Sequence, residues 1–296
     1  MVILHLKRGD ENLFLYETDV NANTTDVVKD VTAIYNGRLK VERICMEMEE
    51  LATHGTLLPP EMIGLTDEQI EELKLEDIWA EKCIPSGGFI FNKDLIGRRN
   101  GRQPKENMQE VLRNAMKDAR ELIDKKLVLT KRPLTLKIVS EAINLLRGAV
   151  TIVYPMQLPP HDYIRQEFNN TEDLSGTQAS RDVIEPSKAQ LWFAGRLLLN
   201  DKKLAEFIGN NNKTKVVVKL NEHGQGPPGR EPVITEDIRR RMMADAYRRQ
   251  EELKKLEMDE DDNYLNSSWA DSGILKRQAH GLENVQFRVA IGFFVN

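Results

Sequence analysis

The stretch LWFAGRLLLNDKKLAEFIGNNNKTKVVVKL, residues 191–220, constrains the fold more tightly than any other part of the chain. Leu191, Trp192 and Phe193 form a short apolar run of strand-forming residues, and Ala194-Gly195-Arg196 supplies a small-residue turn into Leu197, Leu198 and Leu199. Asn200-Asp201 breaks that run, because such side chains bond nearby backbone groups, and Leu204, Phe207 and Ile208 return at the spacing of a helical turn. After Asn210-Asn211-Asn212, the residues Val216, Val217, Val218 and Leu220 make a β-branched strand. The pattern is strand, turn, strand, short helix, strand, defined by Trp192, Phe193, Gly195, Leu204 and Val217. On its own such a unit is too small to cover a sheet with a helix.

That order resembles the back half of ubiquitin, including the phenylalanine-alanine-glycine turn, the leucine and aromatic residue of the short helix, and the threonine before the last strand. The absent front half of such a fold is a β-hairpin followed by a helix, and the N-terminus reads as one. Val2 to Leu6 and Leu13 to Tyr16 flank a turn at Gly9-Asp10, and a helix begins at Thr24 or Thr25. Val27, Val28, Val31, Ile34 and Tyr35 give it one apolar stripe to lie across the sheet. The expected class is α+β: a split ubiquitin-like β-grasp domain, residues 1–37 and 186–222, around a mainly helical insertion, 38–185. A linker, charged helix and docking tail, 223–296, follow. The alternative is two unrelated small α/β units, and pairing of the first strand with the last separates the two readings. On the split reading Trp192 and Val217 are core residues whose truncation to alanine costs about 2–5 kcal/mol.

Between the halves the pattern is mostly helical. Asn36-Gly37 is expected to break or bend the first helix away from a second, Arg38 to His54, whose stripe of Val41, Ile44, Cys45, Met48 and Leu51 ends at Gly55. Cys45 belongs to that stripe and reads as packing rather than as a reactive thiol. Thr66-Asp67-Glu68-Gln69 opens a short acidic helix carrying Ile70, Leu73 and Leu75. Residues 82–107 are the most loop-like part, with glycines at 87, 88, 97 and 101. Ser86-Gly87-Gly88 lacks the lysine and hydroxyl pair of a phosphate loop and reads as a turn. Arg98, Arg99, Arg102 and Lys105 cluster without an intervening acid, which suits either a carboxylate-rich or phosphorylated partner or a solvated loop. Pro104 and Thr135 start two amphipathic helices, expected to form a hairpin packed on the grasp domain. Thr151 to Tyr154 reads as a strand halted by Pro155, and the polar residues 161–189 as a surface wrapping.

A conjugating modifier needs a free glycine pair after its last strand. Here Gly224, Gly226 and Gly229 are followed by Pro227-Pro228 or by further chain, so the segment reads as a linker. Residues 235–258 form a charged helix with a broken apolar stripe, in which Met242 and Met243 suit an adaptable contact surface. Asp259-Glu260-Asp261-Asp262-Asn263 lacks the turn glycine and distant glutamate of a calcium loop. The tail beyond it, with Tyr264, Leu265 and Trp269, reads as a docking peptide.

A net charge of −5 gives no global field toward nucleic acid, and the two cysteines, Cys45 and Cys83, are too few for a disulfide framework. With no recognisable leader and no run of membrane-spanning length, a reducing cytosolic setting without nucleic acid or membrane is expected. His5, His54, His161, His223 and His280 stand apart without zinc spacing, and no nucleophile elbow or kinase pattern occurs. No catalytic, metal or cofactor residue is therefore assigned.

The segments MVILHLKRGDE, YNGRLKVERICMEMEELATHG, GLTDEQIEELKLEDIWAEKCIPSGG, IGRRNG, LRGAVTIVYPMQLPP, EDLSGTQA, RRQEELKKLE and DDNYLNSSWAD resemble the Kurly family of cilia- and flagella-associated proteins. The resemblance runs to about Phe287, and the final VAIGFFVN departs from it. It implies a soluble, non-catalytic scaffold or adaptor without cofactor, needed for motile cilia. It further implies a role in assembly of axonemal dynein arms and in polarity of ciliated tissue, in the cytoplasm and at the ciliary base or in the cilium. The implied partners are dynein arm subunits or their assembly factors. A structural component on doublet microtubules and an enzyme stay open as alternatives.

Overall fold

Val2, Leu4 and Leu6 alternate with Ile3, His5 and Lys7, and this period of two makes β1 (Val2–Arg8) a strand with one buried face. The computed structural model describes residues 1–229 and 236–258. In the first of its two compact units, Met1–Glu231, β1 pairs antiparallel with β2 (Glu11–Thr18) and is followed by α1 (Thr24–His54). The short helices α2 (Asp67–Glu72) and α3 (Ile78–Lys82) precede a small sheet of β3 (Phe89–Phe91) and β4 (Arg102–Pro104). Then come α4 (Glu106–Ile123), α5 (Leu136–Val153), α6 (Tyr163–Asn169) and α7 (Ala179–Asp182). The chain returns to the main sheet as β5 (Ala189–Phe193), β6 (Arg196–Leu197), α8 (Ala205–Ile208) and β7 (Lys215–Glu222). The second unit, Pro232–Asn296, contains α9 (Glu236–Met258).

The expected contact between the first strand and the last is present. β1 and β7 run parallel, with Ile3 opposite Lys215 and Leu6 opposite Val218. The five-stranded mixed sheet has the order β2-β1-β7-β5-β6, and the two ends of the chain segment interleave in it. Further bonds stitch front to back: Thr24 N and Oγ1 donate to the Lys202 carbonyl, and Leu204 N donates to the Ala22 carbonyl at 3.1 Å. Val27, Val31 and Ile34 of α1 pack with Leu4, Leu6, Leu191, Leu204, Val218 and Leu220 in one core. This α+β arrangement is grasp-like, one helix laid on a mixed sheet. Ala194 and Gly195 both have positive φ, 48° and 78°, as the two-residue turn between β5 and β6 requires.

Three local expectations are corrected. First, α1 does not break at Asn36-Gly37 but continues for 31 residues. Asn36 turns its amide onto the Ile184 backbone, donating to the carbonyl at 2.7 Å and accepting from the N–H at 3.1 Å. A Cβ on Gly37 would lie 2.6 Å from Val139 Cγ1, so glycine here admits α5 against α1. Gly37→Val is expected to cost about 1–3 kcal/mol in a urea melt by overpacking, with Val139→Ala restoring part of the loss in the double variant.

Second, Thr151 to Val153 is the last turn of α5, not a strand, and Thr151 Oγ1 bonds the Arg147 carbonyl at 2.9 Å. Third, Val217 is 38% exposed, and Trp192 is only half-buried opposite Lys219. The core-facing residues of these strands are Leu191, Val216, Val218 and Leu220, because alternation sends Val217 and Trp192 to the other face.

The second core gathers Val41, Ile44, Cys45, Met48 and Leu51 of α1 with Leu112 and Met116 of α4 and Leu146, Val150 and Val153 of α5. The expected helical hairpin thus packs on α1 itself. Residues 161–189 are more than a wrapping: Ile164 joins this core, while Arg43 pairs with Glu167 at 2.6 Å and Lys40 with Glu172 at 2.9 Å.

Candidate interaction surfaces

The basic loop folds around an acid. Asp94 accepts backbone N–H bonds from Ile96 and Arg98 at 2.9 Å and from Arg99 at 3.0 Å. Burial alone would raise its carboxyl, but these three donors outweigh burial and hold it below the usual carboxylate range. The arginines then diverge. Arg99 is buried, donating through Nη1 to the Gly55 carbonyl at 2.8 Å and through Nη2 to Glu47 Oε2 at 2.7 Å. Arg98 is partly exposed and binds the other Glu47 oxygen at 3.0 Å. Arg102 donates to the Ala80 carbonyl and lies 5.0 Å from the Phe89 ring centroid. The expectation that Arg98, Arg99 and Arg102 form one partner-gripping patch is therefore corrected for Arg99, whose guanidinium faces the protein interior.

Behind Arg99 sits Asp162, the N-cap of α6, fully buried. Its Oδ1 accepts from Ile164 N at 3.0 Å, its Oδ2 accepts from Leu57 N at 3.2 Å, and Arg99 Nη1 is 3.9 Å away. Burial pushes this carboxyl up, against the pull of Arg99 and the two N–H groups. The Tyr154 hydroxyl is also buried, and burial raises its pKa. This cluster joins the end of α1, the basic loop and the start of α6, and all its charged groups have internal partners. Burial likewise lifts the Cys45 thiol to about 11, which makes it a poor nucleophile near neutral pH.

Exposed apolar surface gathers on β3 and on the loop that joins it to β4, in a region whose sequence reads as loop throughout. Ile90, Phe91, Leu95 and Ile96 are 54%, 70%, 97% and 72% exposed. Phe91, Leu95 and Ile96 also rim a groove of 650 Å³ whose other wall carries Leu65, Glu68 and Ile70. The signal available was Phe89-Ile90-Phe91, three consecutive strand formers. The flanking glycines masked it.

A second groove, of 680 Å³, lies on the outer face of the main sheet between Trp192, Phe193, Gly195, Val217, Lys219 and Gly229. The glycine- and proline-rich segment after β7 does not leave directly. Lys219 Nζ donates to the Gly229 carbonyl at 2.9 Å and Asn221 Nδ2 to the Gly226 carbonyl at 3.4 Å, folding it back along that face. Of the remaining expected contact residues, Met242 and Met243 are exposed on α9. Tyr264, Leu265 and Trp269 lie outside the described residues. Among the described residues no cluster of three or more His, Cys, Asp or Glu is placed to hold a metal ion, and no helix is long and apolar enough to cross a membrane.

Residues 189–285 match the family model described as Cilia- and flagella-associated protein 298. Over 288 residues, 97% of this chain and 99% of the relative, the sequence is 67% identical to Cilia- and flagella-associated protein 298 of Drosophila melanogaster. Over the same shares it is 55% identical to Cilia- and flagella-associated protein 298-A of Xenopus laevis and 53% identical to the Homo sapiens protein of that family name. No solved structure matches the chain. These matches cover nearly the whole chain and uphold the resemblance drawn from the sequence segments. The chain belongs to the Cilia- and flagella-associated protein 298 family.

Proposed function

We propose that this chain is a non-catalytic scaffold or adaptor in the assembly of axonemal dynein arms, and through motile cilia in the polarity of ciliated tissue. The observation that carries the reading is α1, which runs unbroken from the sheet core into the helical core. One helix shared by two cores makes a stiff frame, and two grooves with partly apolar walls, at the β3–β4 sheet and on the outer face of the main sheet, offer it surfaces for protein partners. The family's association with cilia and flagella supplies the setting. The partners on this reading are dynein arm subunits or their assembly factors, met in the cytoplasm and at the ciliary base. The split sheet domain at 1–37 and 186–222, the insertion at 38–185 and the C-terminal docking segment are the functional divisions of that frame.

Separating cilia from cell bodies tests it. The expected result is that most of the chain partitions with cell bodies and that cells lacking it assemble cilia short of dynein arms. A chain that stays on doublet microtubules through a high-salt wash, with arms present, would instead make it a structural axonemal component. A pull-down with the chain truncated after Leu256 is expected to lose partners that the full chain retains. Unchanged partners would remove the docking role of the C-terminal segment.

A further inference from the structure

The β3–β4 sheet is built in a way that soluble proteins avoid. It has two strands, and β4 is the strand partner of β3 among the described residues. Successive residues of a strand point to opposite faces, so exposure of Phe89, Ile90 and Phe91 together means that neither face of β3 is covered. An apolar edge strand left open is a template for another strand. It is also anchored rather than frayed: Asn92 N donates to the Gly101 carbonyl at 2.8 Å, Gly101 N to the His54 carbonyl at 2.8 Å, and Asn92 Nδ2 to the Thr53 carbonyl at 2.9 Å. The sheet is thereby fastened to the end of α1.

We propose that the free edge of β3 takes a third strand from a protein partner, an extended segment that mixes apolar side chains with carboxylates. Backbone pairing along the edge supplies affinity, and the side chains of Phe89, Ile90 and Phe91 select apolar residues. Charge selects the rest. Arg98 and Arg99 are taken up by Glu47, so the cations left to face a partner at this sheet are Arg102, within β4, and Lys105, just after it, while Asp94 turns its carboxylate onto three backbone N–H groups. Arg102 reaches over the Phe89 ring, and Lys105 lies across from Gly88, just before β3. A second copy of this chain on the same edge would bring these cations against their own images, which disfavours it. An acidic segment meets complementary charge.

This inference rests on the protein-binding role proposed above and names one surface of it. The test uses the full chain and two blocked ten-residue peptides, one alternating valine with glutamate and one alternating valine with lysine. Binding is read by fluorescence anisotropy, and edge pairing by hydrogen exchange at Phe89 and Phe91, whose N–H groups alternate with those of Ile90 and Asn92 that face β4. The valine-glutamate peptide is expected to bind at least about tenfold more tightly than the valine-lysine peptide and to slow exchange in β3. Ile90→Asp and Phe91→Asp each abolish binding without moving the melting temperature, since both side chains face solvent. Equal binding of the two peptides, or no binding, overturns the proposal. So does a dimer of the unmodified chain that Phe91→Asp dissolves, because the occupant is then a second copy. Dynein-arm partners that co-purify equally with the unmodified chain and with Phe91→Asp sink the edge proposal while leaving the scaffold role standing.

Discussion

Arg99→Ala is expected to lower the unfolding free energy by about 3–5 kcal/mol, whereas Arg98→Ala, its neighbour in sequence, costs within about 1 kcal/mol. Both guanidiniums bind Glu47, at 2.7 Å and 3.0 Å, so the difference lies in what surrounds them. The Arg99 side chain is 1% exposed, and its removal strands the fully buried Asp162, one Glu47 oxygen and the Gly55 carbonyl. Arg98 sits at the rim, where water replaces it. The pH dependence distinguishes a stranded charge from lost packing. The Asp162 carboxyl is already raised in the folded protein, so its contribution is fullest below the unfolded value of about 3.9 and is lost as pH rises through the folded value. Without Arg99 the folded value climbs further, and the deficit of Arg99→Ala should shrink as pH is lowered from about 8 toward about 4. A deficit independent of pH in chemical melts would show that packing, not charge, is what Arg99 provides.

The second large effect lies in the main sheet. Leu220→Ala is expected to cost about 2–5 kcal/mol and Val217→Ala less than about 1 kcal/mol, although the two residues are three apart on one strand. Leu220 is fully buried in the core beneath α1, and Val217 lies on the opposite face, over a third exposed. Urea melts of the two variants side by side decide it. Equal losses would mean that the outer face of the sheet is covered as thoroughly as the inner one.

The same pair shows where sequence stops determining structure. The run Val216-Val217-Val218 announces a strand but carries no alternation, so its inward face is set only by register with β1. The split sheet was readable because its turn, short helix and strands each left a chemical mark within a few residues. The length of α1 was not, since Asn36 and Gly37 resemble a helix break until Ile184 and Val139 are in place to use them. Likewise, four nearby cations look alike in sequence. Only the fold turns Arg99 onto Glu47 and Asp162, which are distant in the chain, and leaves Lys105 at the surface. The β3–β4 surface was missed for a simpler reason, that glycines at 87, 88, 97 and 101 outweighed three strand formers between them.

Pairing of β1 with β7 also sets a timetable for synthesis. Ile3 meets Lys215 across the parallel pair, so the N-terminal hairpin leaves the ribosome roughly 200 residues before its neighbour strand exists. At about 5–20 residues per second that interval is roughly 10–40 s. For that time the nascent chain carries an unpaired strand edge and an uncovered apolar face, while the helical insertion folds from local contacts. The slow step of folding is then the late arrival of the last strand, and a chain halted before residue 215 keeps its first strand open to wrong partners.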